Sequence, residues 1–154
     1  MQISASTDYA IRLILYLAKA SKSVPSSKLS TAIGVSSRYL LQIGAKLRDA
    51  DLITVTYGPT GGYTLCKSPN HISLYDVIVV MQKQIRKQKQ DTNEKVTEFP
   101  ILDKVYTYVD TVLDELLKSI TMDSLLTQSI NKWFLAPRLM NLEDIQKDYQ
   151  NKKD

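Results

Sequence analysis

The chain has one cysteine, Cys66, and one histidine, His71, in 154 residues. A lone thiol excludes an intrachain disulfide and a multi-cysteine metal site. His71 stands beside a turn with neither a cysteine nor a second histidine near it, and reads as a surface residue rather than a metal ligand. Long apolar runs are missing too. No stretch reaches the about 18 residues of a membrane span. The segment from Tyr9 to Ala18 is broken by Arg12 and followed by no small-residue cleavage site, so neither an anchor nor a secretory leader is expected. There is no internal repeat, no low-complexity tract, no nucleophile–base spacing, no metal-ligand cluster and no strand–Gly-rich–Lys-Ser phosphate loop. Nothing supports turnover, so no enzyme is expected. A reducing cytoplasm is the setting that fits.

What is there is an ordinary soluble composition, 44% hydrophobic and 23% charged, enough to bury a real core. The charge is unevenly spread. Residues 1–70 hold eight basic and three acidic groups, the remainder twelve and thirteen, so the whole excess of +4 lies in the first half. A polyanion would be drawn there by long-range attraction and counterion release.

Along that half, Ala10, Leu13, Ile14 and Leu17 recur at helical spacing, and Ile11, Leu15 and Ala18 add a second stripe. A helix apolar over so much of its circumference is central. After Val24-Pro25, Ser26 or Ser27 is expected to cap a short helix carrying Leu29, Ala32 and Ile33, which Gly34 stops in the left-handed conformation. A third helix, capped by Ser36 or Ser37, buries Leu40, Ile43, Gly44 and Leu47. Its other face presents Ser37, Arg38, Gln42 and Lys46, suited to base edges and phosphates. Short helix, tight turn and longer helix with a cationic face make a helix-turn-helix. Leu52 to Tyr57 alternates and is β-branched, Gly58-Pro59-Thr60-Gly61-Gly62 turns, and Tyr63 to Cys66 runs back: a wing, whose glycines let backbone amides approach a phosphate.

Beyond the wing, Ser73 and Asp76 resemble a capping box for a helix bearing Leu74, Val77, Ile78, Met81 and Ile85. Residues 82–98 are polar, a linker or a frayed helix end. After Pro100, Leu102, Val105, Val109, Val112 and Leu116 repeat in steps of three and four, a narrow seam that suits pairing with the same helix of a second chain. A last helix over 122–134, with Leu126, Ile130, Trp133 and Phe134, is expected to pack back on the core, and a charged tail follows Pro137. The fold class is therefore mainly α with a small β-hairpin wing. It divides into a winged helix-turn-helix over 1–80, linker and dimerisation helices over 81–134, and a tail over 135–154.

These residues resemble the Rrf-two family of bacterial winged-helix transcription regulators. The resemblance rests on Ser6-Thr7-Asp8-Tyr9-Ala10-Ile11-Arg12, on Tyr39-Leu40-Leu41-Gln42-Ile43 with Lys46-Leu47-Arg48, on the wing Gly58 to Gly62 with Tyr63, and on Ile72-Ser73-Leu74 with Asp76-Val77-Ile78. It covers about residues 1–134. It implies a third helix in the major groove of double-stranded DNA, a wing near the backbone, and a homodimer formed through the long helix. The implied DNA contacts are Ser36, Ser37, Arg38, Tyr39 and Gln42 on the helix and Gly58 to Gly62 in the wing, with Thr60, Gly61 and Gly62 among them; Lys46 is added to the expected DNA-binding set from its place on the cationic face. The chain departs from the family at Leu41, where many members have a glutamate, and at Tyr57, where many have an arginine. It departs further at residues 86–106, which lack the three cysteines of cluster-binding members, so no iron–sulfur cluster and no other cofactor is expected. Asp8, where some members supply a cluster ligand, reads as a helix-start acid.

The resulting expectation is a sequence-specific, homodimeric regulator, a repressor, answering to an unidentified small-molecule or protein effector. Its competitor is a winged-helix interaction module that has lost specific DNA binding. Blander readings stand beside the individual residues. Arg38, Gln42 and Lys46 could be a solvated face, but the adjoining turn and wing favour DNA. Cys66 is read as a packed or incidental strand cysteine rather than a switch. The lysine-rich run from 83 to 95 is read as a solvated helix end, and Trp133 with Phe134 as core rather than the floor of an effector pocket.

Overall fold

A computed structural model describes residues 3–90 and 100–127 of the chain. Helix α1, Ala5–Ala20, starts where the Ser4 hydroxyl accepts the Thr7 amide at 3.2 Å, with Asp8 in the first turn. Its inner residues Ala10, Leu13 and Ile14 are fully buried, while Ile11 and Leu15 are half-buried against the same cluster. This is the central helix that its two apolar stripes require: four later helices and the hairpin all pack on it.

Helix α2 spans Ser26–Ile33, and here the expected serine cap gives way. Pro25 is the N-cap, with no side-chain capping bond, and both serines sit inside the first turn. The cause is nonlocal: Val24 is held in an extended bridge to Tyr63, each amide donating to the other's carbonyl at 3.0 and 2.9 Å, so the chain enters α2 one residue early. At the far end Gly34 adopts φ +73, and the amides of Gly34 and Val35 satisfy the Thr31 and Ser30 carbonyls.

Helix α3, Ser37–Arg48, is capped by Ser36, whose hydroxyl accepts the Tyr39 amide at 3.2 Å. It buries Leu40, Ile43, Gly44 and Leu47, the set its periodicity predicts. The turn out of it places Asp51 at φ +54, with the Asp51 amide on the Arg48 carbonyl and the Leu52 amide on the Leu47 carbonyl. This is a Schellman ending, in which buried Leu47 and Leu52 supply the apolar contact. Strands β1 (Ile53–Thr56) and β2 (Gly62–Leu65) pair antiparallel with Ile53 opposite Leu65 and Thr56 opposite Gly62. A Cβ on Gly44 would stand 2.7 Å from the ring of Tyr63, so the glycine is what lets the hairpin close onto the back of α3.

A 3-10 turn, Pro69–His71, leads to α4, Leu74–Gln90. The Ser73–Asp76 cap forms as read: the Ser73 amide donates to Asp76 Oδ2 at 2.8 Å and the Asp76 amide to Ser73 Oγ at 3.2 Å. The helix runs through Gln90, well into the polar stretch from 82 that composition marks as a linker or frayed end; glutamine, lysine and arginine propagate a helix without an apolar stripe. Helix α5, Pro100–Ser119, returns to the body, where the Leu74 amide donates to the Ile120 carbonyl and the Met122 amide to the Ile72 carbonyl. Helix α6, Met122–Leu126, is opened by a Thr121–Ser124 capping box, and the expected helix beyond residue 127 lies outside the described residues. Ile130, Trp133, Phe134 and the tail lie outside the described residues. Met81 and Met122 join the same buried cluster as Leu13 and Leu40, so the core draws on residues beyond 80. Among the described residues no helix is long and apolar enough to cross a membrane.

Candidate nucleic-acid interface

The inward set of α3 fixes what its outer face presents. Ser36, Ser37, Arg38, Leu41, Gln42 and Lys46 are all exposed. Arg38 and Lys46 form no ion pair with any described residue, so two cations stand free on one helix face. Tyr39 is placed differently from the other predicted contacts: it is half-buried and packs edge-on against Tyr9, with ring centroids 6.0 Å apart and planes at 89°. A shallow cleft of about 390 Å³ opens beside it, bounded by Ser6, Tyr39, Gln42, Ile43, Lys46 and Met81.

The wing packs on α3 through β1. Tyr57, Gly58, Pro59 and Thr60 are exposed at its tip, and the Gly61 amide closes the turn on the Gly58 carbonyl at 3.0 Å. Gly58, at φ +111, holds a conformation that side chains disfavour. Gly61 and Gly62 are glycines for another reason. A Cβ on Gly61 would lie 2.2 Å from the Thr56 carbonyl oxygen, and one on Gly62 2.5 Å from that of Val24. Gly62 is buried, so its part is to let the hairpin pack, and the surface open to a partner is Gly58 to Thr60.

Arg48 belongs to the base of the wing rather than to the outer face. Its guanidinium donates to Asp49 Oδ1 at 2.9 and 3.2 Å, and those hydrogen bonds and that charge, with a lesser contribution from Tyr57, raise it above its ordinary value. At the other end of the domain Asp8 pairs with Arg12 at 2.7 Å, one helical turn on. Cys66 is exposed just past β2, not packed. Partial burial pushes its thiol up, Asp51 adds to this and Lys67 opposes it, leaving a protonated, weakly nucleophilic thiol at neutral pH. His71 is exposed in the 3-10 turn.

Ser36, Ser37, Arg38, Gln42 and Lys46 are thus exposed on α3 and its cap, and Gly58 and Thr60 at the wing tip, while Tyr39 and Gly62 are turned inward. Two exposed apolar side chains join the surface without having been read as contacts: Leu41, 59% exposed, and Tyr57, 81% exposed. The predicted seam is a separate surface. Leu102, Val105 and Val109 are exposed, Val112 and Leu116 half-buried, and Ile101, Tyr106 and Tyr108 widen the apolar face of α5.

A helix-turn-helix followed directly by a hairpin wing defines the winged-helix class of transcription regulators. Within it, the chain belongs to the Rrf2 (Rrf-two) family, described as iron-dependent transcriptional regulators, whose model matches residues 3–128. NsrR of Halalkalibacterium halodurans is 34% identical over 101 residues, 64% of this chain and 64% of its own length. CymR of Bacillus subtilis is 29% identical over 127 residues, 81% of this chain and 89% of its own. IscR of Pectobacterium carotovorum is 33% identical over 87 residues, so the chain spans only 53% of that relative. Among solved structures, IscR of T. potens matches with a TM-score of 0.67 at 26% identity over 84% of this chain and 88% of its own. CymR, described as the global cysteine regulator of B. subtilis, matches with 0.68 at 25% identity over 83% and 98%. These relatives are named as transcriptional regulators, not enzymes.

Proposed function

We propose that the chain binds double-stranded DNA sequence-specifically as a homodimer, represses by occluding the promoter it sits on, and does so without an iron–sulfur cluster. The observation that carries the reading is the unpaired cationic face of α3, followed in the chain by an exposed, glycine-turned wing. With α3 in the major groove, Arg38 has the fork to span guanine O6 and N7, and the Gln42 carboxamide the donor–acceptor pair to span adenine N6 and N7. Ser36, Ser37 and Lys46 reach phosphates, as do the amide of Gly58 and the hydroxyl of Thr60. These backbone contacts set register; the two base contacts carry the sequence.

The dimer rests on α5. Its apolar side chains Leu102, Val105 and Val109 are left in water by this chain alone, and the steps of three and four give a self-complementary stripe. As for the cluster, an iron–sulfur group takes several thiolates. The donor set does not fit: these 154 residues hold one thiol, Cys66, which lies outside residues 86–106 in the sequence, and Asp8 is engaged by Arg12. The signal is then a small molecule or a protein of another kind.

Binding to duplexes carrying the chain's own promoter, followed across a salt series, tests the reading. The expected result is a preference over bulk DNA and a steep loss of affinity with salt. Arg38→Ala should weaken the specific complex by about 5- to 150-fold, the range for a bidentate base contact. Exposed Leu41 and Tyr57 also suit a protein-interaction surface. Absence of any sequence preference at low salt would establish that second reading in place of the first.

A further inference from the structure

We infer that Leu41 is a specificity-determining residue of the α3 face, reading the C5-methyl group of a thymine in the major groove. This rests on the DNA-binding reading above. Leu40 is fully buried, whereas Leu41, one residue round the helix, is 59% exposed and belongs neither to the buried cluster nor to the side chains packed on it. Among the described residues Leu41 thus has no place in the core, and a leucine left largely in water on a face otherwise polar and cationic is available to an apolar group of a partner.

The neighbours on α3 say what covers it. Leu41 lies one turn after Arg38 and directly before Gln42, with Lys46 beyond, all exposed. An apolar protein surface would leave those cations and amide unpaired, at a large desolvation penalty. A major groove satisfies them with phosphates and base edges, and the thymine methyl is the one apolar group it displays. Leucine has no donor or acceptor, so against cytosine N4 or guanine O6 it would strip water from a polar edge and give nothing back. The side chain therefore selects thymine both by attraction and by exclusion, at a base step adjoining the one Gln42 reads.

Replacing thymine by 2′-deoxyuridine deletes the methyl group and leaves base pairing intact, so it isolates this contact. The full chain is titrated by fluorescence anisotropy against its preferred duplex, selected from a random-sequence pool, with each thymine exchanged singly. One position in each half-site should lose about 3- to 10-fold in affinity on exchange, the scale of one buried methyl and its leucine contacts. Leu41→Ala should bind the parent duplex more weakly by a similar factor and be indifferent to deoxyuridine at that position only. Leu41→Met, which keeps an apolar side chain, should retain the sensitivity. Because Leu41 is exposed, both variants should melt with the parent chain. If the pool yields a preferred sequence but no thymine responds to exchange, or if Leu41→Ala keeps the parent's exchange profile, the inference is overturned while the DNA reading stands. If the pool yields no preferred sequence, both fall together.

Discussion

Helices α1 and α5 are both rich in apolar residues, yet one is buried and the other is not. Every inward residue of α1 from Ala10 to Leu17 is sealed by elements of its own chain, with Leu13 and Ile14 at 0% exposure. Residues 101–110 of α5 are exposed throughout, Val105 at 48% and Val109 at 54%. The winged-helix body is thus packed from within one chain, whereas α5 carries an apolar face that no other described residue covers. Only its C-terminal part, through Leu117 and the following Met122, is tied down.

The sharpest way to break this contrast is to open the body. Leu13→Ala should lower unfolding free energy by about 2–5 kcal/mol, the cost of a cavity in a packed core, seen as an earlier midpoint in urea. Charge on α5 should do the reverse, sparing the fold and destroying association. The double variant Val105→Glu and Val109→Glu is expected to sediment as a monomer with unchanged helical content, its self-association weakened by at least about 100-fold, or ~2.7 kcal/mol. A dimer that survives both glutamates would place the interface elsewhere. Next comes Gly44→Ala, which pushes a methyl into the Tyr63 ring and should cost roughly 1–3 kcal/mol, visible as a lowered Tm. The smallest effect has the opposite sign. Asp51 sits at φ +54, where an L side chain is strained, so Asp51→Gly should stabilise by about 0.5–1 kcal/mol.

Much of the body was legible because its signals are local. The Gly34 stop, the Ser36 cap, the Ser73–Asp76 box and the inward four of α3 each depend on residues within a turn or two of one another, and period and capping chemistry report such relations. What could not be read depends on partners distant in sequence. The serine cap of α2 fails because Val24 is bound to Tyr63. Gly62 is a glycine because Val24's carbonyl stands where its side chain would be. Tyr39, an outward contact by the family resemblance, is drawn in by Tyr9, an aromatic pairing that no spacing encodes. Leu41 was visible only as a departure from a family pattern. Its exposure beside Arg38 and Gln42 turned that departure into a candidate reader.

The contact of Gly44 with Tyr63 has a mechanical consequence. With no room for even a methyl group between Gly44 and Tyr63, and with Val24 bonded to the same tyrosine, the base of the wing is fixed to α3 and the two are expected to travel as one stylus. If the chain reads DNA as the proposed homodimer, a signal is then expected to alter how far apart two such styluses stand or how they tilt toward each other. The letters each one writes would stay fixed by α3, and regulation would act on the spacing of half-sites.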